Sequence, residues 1–241
     1  MFRALLLALV FAAYDDTLER NRILVVIRAS RRAGSFNHVQ DTYQSIQESL
    51  PGSHILIFTD VVKNNLTLPH SVFKRSQIWY DKIIGQNIPQ HHGDSWSRIE
   101  WRAENCYDFI HILNILGWVF LDQYDLYVWI EDDVLIKQRF AEYIMLKNIE
   151  WKWDVLYGSH QRVGNHLYPG GGFLAVAFKI QALREFHSSL KKYWTEDPID
   201  SILNRLAEKV KIRAVGPVVT HRNLPSTLPG CKGASAGCKF T

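Results

Sequence analysis

Three adjacent carboxylates stand at the end of an apolar run. Leu126 to Ile130 reads "LYVWI", Glu131, Asp132 and Asp133 follow, and "VLI" comes next, before the first basic residue, Lys137. Two carboxylates about 5 Å apart repel by about 3 kcal/mol at an effective dielectric of about 20. Three together persist only where solvent or a cation relieves them. Hard oxygen ligands suit Mg²⁺ or Mn²⁺. Such a cation would neutralise a nucleotide pyrophosphate and act as a Lewis acid toward a leaving phosphate. In extended backbone Glu131 and Asp133 point to one side and Asp132 to the other. One acid can then take the cation while another reaches a sugar hydroxyl. The plainer alternative is a solvated turn after an edge strand. The apolar residues on both sides argue against it, because an exposed turn does not need them.

Other residues offer partners for these acids. His221 follows "VGPVVT", a second strand end, and could add an imidazole to an oxygen site; taken alone, it reads first as a half-buried structural histidine. Asp200 lies in the first turn of a helix opened by Pro198, where the helix dipole favours its ionised form. An ionised carboxylate beside a cleft can serve as general base on a hydroxyl. Charge complementation of the helix end is the competing reading, and Glu196 and Asp197 compete for either role. Gly170, Gly171 and Gly172 let backbone approach a ligand closely, or simply make a flexible turn. Trp101, Trp129, Tyr157 and Tyr168 are either stacking faces or core. His91 and His92 fall in a Gly/Pro/Asp stretch and read as exposed residues.

The elements that must position these residues follow from hydrophobic periodicity. "ILVVI" (23–27) is an uninterrupted β-branched run, as expected of a strand buried on both faces. Val39, Tyr43, Ile46 and Leu50 recur at helical spacing, and "ILIF" (55–58) is a second strand. This β-loop-α-β opening suits a nucleotide-binding α/β domain. No G-x-G-x-x-G or G-x-x-x-x-G-K-[ST] follows the first strand, which excludes the dinucleotide and P-loop readings. Residues 61–97 read as irregular. Ser95 to Gly117 is a long helix striped by Cys106, Phe109, Ile110, Leu113 and Leu116, with Gly117 as its C-cap. "LYVWI" is the third strand. Phe140 and Ile144 mark a helix, "WDVLYG" a strand, and "GGGFLAVAF" a loop running into another. Leu183, Phe186 and Leu190 stripe a helix, and Ile199, Ile202, Leu203 and Leu206 stripe the one after Pro198, with proline at its first helical position. "IRAVGPVV" reads as one last strand ending at His221.

The totals fit one α/β domain with a sizeable core: 241 residues, 47% hydrophobic, 22% charged and a net charge of +4. Lys and Arg are scattered, whereas a nucleic-acid binder concentrates them on a face or stripe; nucleic acid is excluded as a partner. Residues 1–20 read as a signal-peptide-like segment or anchor remnant: one Arg, then an apolar stretch from Ala4 to Ala13, short of the roughly 20 residues a bilayer span needs. Membrane association would run only through that segment, if uncleaved. The sequon at Asn65 and a disulfide between Cys231 and Cys238 would agree with a lumenal setting. Cys106, on a helix, reads as a buried free thiol.

Taken together, "WRAENCYDFIHIL", "YVWIEDDVLIKQRF", "DPIDSIL" and "IRAVGPVVTHRNLPSTLPG" resemble, in order and rough spacing, the N-acetylglucosaminyltransferase-IV family over roughly residues 23–230. The resemblance implies a GT-A type single domain (21–241) with a mixed, mostly parallel sheet flanked by helices. It implies a metal-dependent, inverting transferase that moves GlcNAc from UDP-GlcNAc to a mannose of an N-glycan as a β1,4 branch. The implied cofactors are Mn²⁺ (or Mg²⁺) and the UDP-sugar donor. The implied setting is the secretory-pathway lumen, in the Golgi or secreted. By the same resemblance, Asp133 would hold the metal, with Glu131 and Asp132 around it toward the ribose. His221 would sit near the diphosphate or metal, and Asp200 would be the base. Arg102 would lie near the donor, and Arg28 and Asp60 would border the uridine; apart from the resemblance, Gly171 and Gly172, read with the acids, could form one wall of a sugar pocket. Two alternatives stay open: transfer of galactose or GalNAc to a lipid-anchor or other glycan, and a catalytically silent glycan-binding module.

Overall fold

The computed structural model describes residues 22–29, 37–59, 66–72, 96–145, 153–158, 161–163, 166–168, 173–214 and 219–221. The N-terminal segment, Asn65, Asp60, His91, His92, Gly170 to Gly172, Cys231 and Cys238 lie outside the described residues.

The strands are β1 (Ile23–Ala29), β2 (His54–Thr59), β3 (Ser71–Val72), β4 (Leu126–Glu131), β5 (Val134–Ile136), β6 (Val155–Tyr157), β7 (Gln161–Val163), β8 (His166–Tyr168), β9 (Ala175–Lys179), β10 (Ile212–Ala214) and β11 (Val219–His221). The helices are α1 (Asn37–Ser49), α2 (Trp96–Leu116), α3 (Trp118–Leu121), α4 (Gln138–Met145), α5 (Ile180–Tyr193) and α6 (Ile199–Arg205), the last running into a 3₁₀ turn over Leu206–Glu208. Seven strands form one sheet in the order β10-β6-β9-β4-β1-β2-β3. Only β9 runs against its neighbours, β4 and β6; the other four pairings are parallel. The chain therefore forms the expected α/β fold, a mixed, mostly parallel sheet with flanking helices.

Side chains alternate across this sheet, so each strand feeds two cores. Leu24 and Val26 of β1, Tyr127 and Trp129 of β4, and Val176 and Phe178 of β9 pack under α2, α5 and α6. Val25 and Ile27, Val128 and Ile130, and Ala175 and Ala177 pack under α1 and α4. The uninterrupted β-branched runs are the consequence, since both faces of each strand are covered. On the first face Phe109 is the hub, with ring centroids 4.6 Å from Trp129 and 5.3 Å from Phe186. Trp129 and Tyr157 are core side chains here, so neither offers a stacking face.

Gly117 ends α2 as expected: its φ is +73°, and its N–H returns to the carbonyl of Leu113 at 2.9 Å. Cys106 is a buried free thiol. Three expectations are corrected. Pro198 is the N-cap of α6 and Ile199 the first helical residue. The stretch "IRAVGPVV" is two strands: β10 pairs with β6 in the main sheet, while β11 leaves it to pair with β5. The stretch 61–97, read as irregular, contributes β3 to the sheet edge. Sequence periodicity also missed the small antiparallel pair β7 and β8.

Candidate active site at the carboxyl edge of the sheet

Parallel strands deliver their carboxyl ends to one edge. Strand β4 is the middle of the seven, and the order reverses beside it: β1 continues to β2 and β3 on one side, and β4 opens the other. Open α/β sheets bind ligands in the crevice outside the carboxyl ends at such a switch point. Here the two strand ends flanking it carry Arg28 and Glu131, opposite one another in the β1–β4 register. The acid triplet thus leaves the sheet beside its switch point.

The three acids have different surroundings. Glu131 closes β4, is partly exposed, and donates its N–H to the carbonyl of Leu174 at 2.9 Å, just ahead of β9. Asp132 and Asp133 form the turn into β5 and are buried, 1% and 0% exposed. Asp132, expected on the donor side, directs a carboxylate oxygen to His38 Nε2 of α1 at 3.1 Å. Its carbonyl accepts a hydrogen bond from Thr42 Oγ1 at 2.8 Å. Asp133, the next residue, precedes Val134, and Val134 stands opposite His221 in the β5–β11 ladder. Residues opposite one another in an antiparallel ladder are about 5 Å apart at Cα. The structure thus brings the residue position of His221 to within one residue of Asp133, although 88 residues of chain separate them (221 − 133).

The α2/α6 side of the same edge carries the remaining candidates. Arg28 donates from Nε and Nη2 to Asp108 Oδ2, at 2.9 and 2.6 Å, and Asp108 is fully buried in α2. Arg102, one and a half turns earlier on α2, is 6% exposed. Asp200 of α6 is partly buried, and burial raises its carboxyl above the usual carboxylate range. The Ser201 N–H at 3.0 Å and the positive charge of Arg102 pull the other way, while Asp197 adds to the rise. Burial first, and then the charge of Asp200, holds the Tyr157 hydroxyl at the end of β6 well above its ordinary range. Cys106 lies in the same layer, its thiol raised by burial first and then by Asp200. Its Sγ donates to the carbonyl of Asp197 at 3.7 Å. Asp197 in turn pairs with Arg205, as does Glu196 at 3.8 Å. The two acids that competed with Asp200 in sequence thus both pair with Arg205 of α6.

Among the described residues, no three His, Cys, Asp or Glu side chains converge as a metal centre. The residue types near this edge, carboxylates at 131 and 133 and a histidine position one residue across the ladder, are those that a hard divalent cation accepts as ligands. Sequence reasoning overlooked His38, Thr42 and Asp108. A signal existed for each. Polar residues recur at helical spacing on α1, and a lone acid sits between Tyr107 and Phe109 in the α2 stripe.

No protein-family model matches the chain, and no curated protein matches its sequence. Among solved structures, it is similar to a glycosyltransferase involved in the glycosylation of the major capsid of PBCV-1, at 8% identity and a TM-score of 0.42 over 80% of this chain and 82% of that one. It is also similar to the galactosyltransferase LgtC in complex with donor and acceptor sugar analogs, at 10% identity and a TM-score of 0.38 over 78% and 72%.

Proposed function

We propose that the protein is a metal-dependent, inverting nucleotide-sugar glycosyltransferase of GT-A type, transferring GlcNAc from UDP-GlcNAc to a mannose of an N-glycan. What supports this reading is the meeting, beside the switch point of the sheet, of a buried acid turn and the strand that carries His221. The four ordered segments that resemble the N-acetylglucosaminyltransferase-IV family supply the choice of donor and acceptor.

Asp133 and His221 would hold Mn²⁺ or Mg²⁺, with Glu131 toward the ribose and Asp132 supporting the turn. A divalent cation there would stabilise charge on the departing diphosphate. Asp200 accepts the proton of the acceptor hydroxyl as that oxygen attacks the anomeric carbon from the face opposite UDP. Its raised pKa strengthens it as a base at neutral pH. Arg102, buried beside it, favours the ionised form that the step requires. Arg28, Asp60, Gly171 and Gly172 border the donor in this reading, and Arg28 does so from its fork on Asp108. Residues 21–241 act as the transferase domain, with residues 1–20 directing it to the secretory-pathway lumen.

The test is transfer from UDP-GlcNAc to a mannose-core N-glycan, with and without EDTA, beside UDP-galactose and UDP-GalNAc arms and a lipid-anchor glycan acceptor. Chelation and Asp133→Ala should each abolish transfer. Transfer that survives both sinks the metal role, and preference for another donor or acceptor corrects the specificity. Glycan binding with no UDP release from any donor would favour a silent module.

A further inference from the structure

Helix α1 carries a polar stripe through a buried setting. His38, Thr42, Ser45 and Ser49 recur at steps of four, three and four residues, which aligns them on one face. All four address the segment from Asp132 to Ile136. His38 Nε2 meets Asp132 Oδ2 at 3.1 Å, and Thr42 Oγ1 donates to the Asp132 carbonyl at 2.8 Å. The Ile136 N–H donates to Ser45 Oγ at 3.2 Å, and Ser49 Oγ donates to the Ile136 carbonyl at 3.5 Å. Burying polar side chains is costly unless each is partnered. The apolar residues Val39, Ile46 and Leu50 already seat α1 on the sheet, so packing alone does not require the stripe.

Its effect is local. Asp132 is held at both its carboxylate and its carbonyl, and the peptide that follows is planar. With these points pinned, the position from which the Asp133 side chain departs is held. We propose that His38 is a positioning residue: through Asp132 it orients the Asp133 carboxylate for the divalent cation of a nucleotide–metal ligand. This rests on the functional reading above. It assigns to Asp132 a supporting role rather than contact with the donor.

The experiment is calorimetric titration of the full chain with UDP, in Mn²⁺ and in EDTA, alongside Mn²⁺ binding followed by electron paramagnetic resonance. His38→Ala should weaken Mn²⁺ binding and Mn²⁺-dependent UDP binding by about tenfold to a hundredfold, as expected of partners that orient metal ligands. Metal-free UDP binding should stay within about twofold. His38→Gln, whose amide nitrogen can stand in place of Nε2, should recover most of the loss, and Thr42→Val should show a smaller loss of the same kind. Should His38→Ala fail to fold, the last two variants decide the matter. The proposal is overturned by Mn²⁺-dependent binding unchanged in the folded variants, or by losses equal with and without metal. A glutamine variant no better than the alanine one also overturns it. Wild-type protein showing no Mn²⁺-dependent UDP binding would overturn the functional reading, and this inference with it. Wild-type binding with indifferent variants overturns the inference alone.

Discussion

In the proposed reaction most of the chemistry turns on one residue, Asp200. Burial raises its pKa, so in the folded chain it takes up a proton at a higher pH than in the unfolded one. Its contribution to stability is therefore present below the ordinary carboxylate pKa and is lost as pH rises through the raised value. At neutral pH the ionised group is a burden on the fold, and the proposed base requires that same form. Asp200→Asn should consequently raise the melting temperature at pH 7 and lower the transfer rate by about 10²- to 10⁴-fold. The wild-type rate should fall on the acid side above pH values typical of carboxylates. Thermal melts and a kcat/KM–pH profile check both halves. A variant that loses stability along with activity would show Asp200 to be structural. Cys106 lies near the same charge, and its raised thiol pKa marks it as an inert core group.

At the scale of elements, strand β11 is the piece that completes the edge, and Gly158 makes room for it. A Cβ at 158 would stand 3.1 Å from both Phe140 Cε2 and Val219 Cγ1, and 3.3 Å from the Ala175 Cβ. Gly158 also donates its N–H to the Ala175 carbonyl at 2.9 Å, so it cannot easily move away. Gly158→Ala should cost about 1–3 kcal/mol through overpacking, read as a lower urea midpoint with an unchanged m-value. Because Val219 opens the strand that carries His221, Mn²⁺-dependent UDP affinity should fall as well. An unchanged midpoint would mean that β11 is held elsewhere.

For the whole molecule, pH acts through a second buried group with the opposite sign. His187 of α5 is buried, its ring centroid 5.4 Å from that of Trp118. Burial first, and then Lys191, pull its pKa down from 6.5 to about 4. Between those values the unfolded chain binds a proton that the folded chain refuses, so stability rises with pH across that window and is lost as pH falls through it. Melting temperatures from pH 7 to pH 4 should fall more steeply for the wild type than for His187→Gln. Parallel slopes would place the acid sensitivity elsewhere. Saturating UDP with Mn²⁺ should stabilise the whole fold, by about 2.7 kcal/mol at a hundredfold excess over Kd. That gain should shrink with EDTA to what metal-free UDP binding supplies.

The sequence by itself determined the α/β alternation, because strands covered on both faces must read as unbroken apolar runs and helices covered on one face must read as stripes. "ILVVI", "LYVWI" and the stripe of Cys106, Phe109, Ile110, Leu113 and Leu116 all fold as their periods demand. It also marked Glu131, Asp132 and Asp133, since adjacent like charges against a core strand are conspicuous without any coordinates. The use of each acid was not legible, because burial and partners come from distant segments. His38 is 94 residues from Asp132, and Asp108 is 80 residues from Arg28. The division of "IRAVGPVV" into two strands had a local mark in Gly216-Pro217, but only pairing partners decide which ladder each half joins. Periodicity is a property of one segment and can be read along the chain. Which side chain neutralises, orients or faces another is a property of the packed sheet edge, and only the tertiary structure decided it.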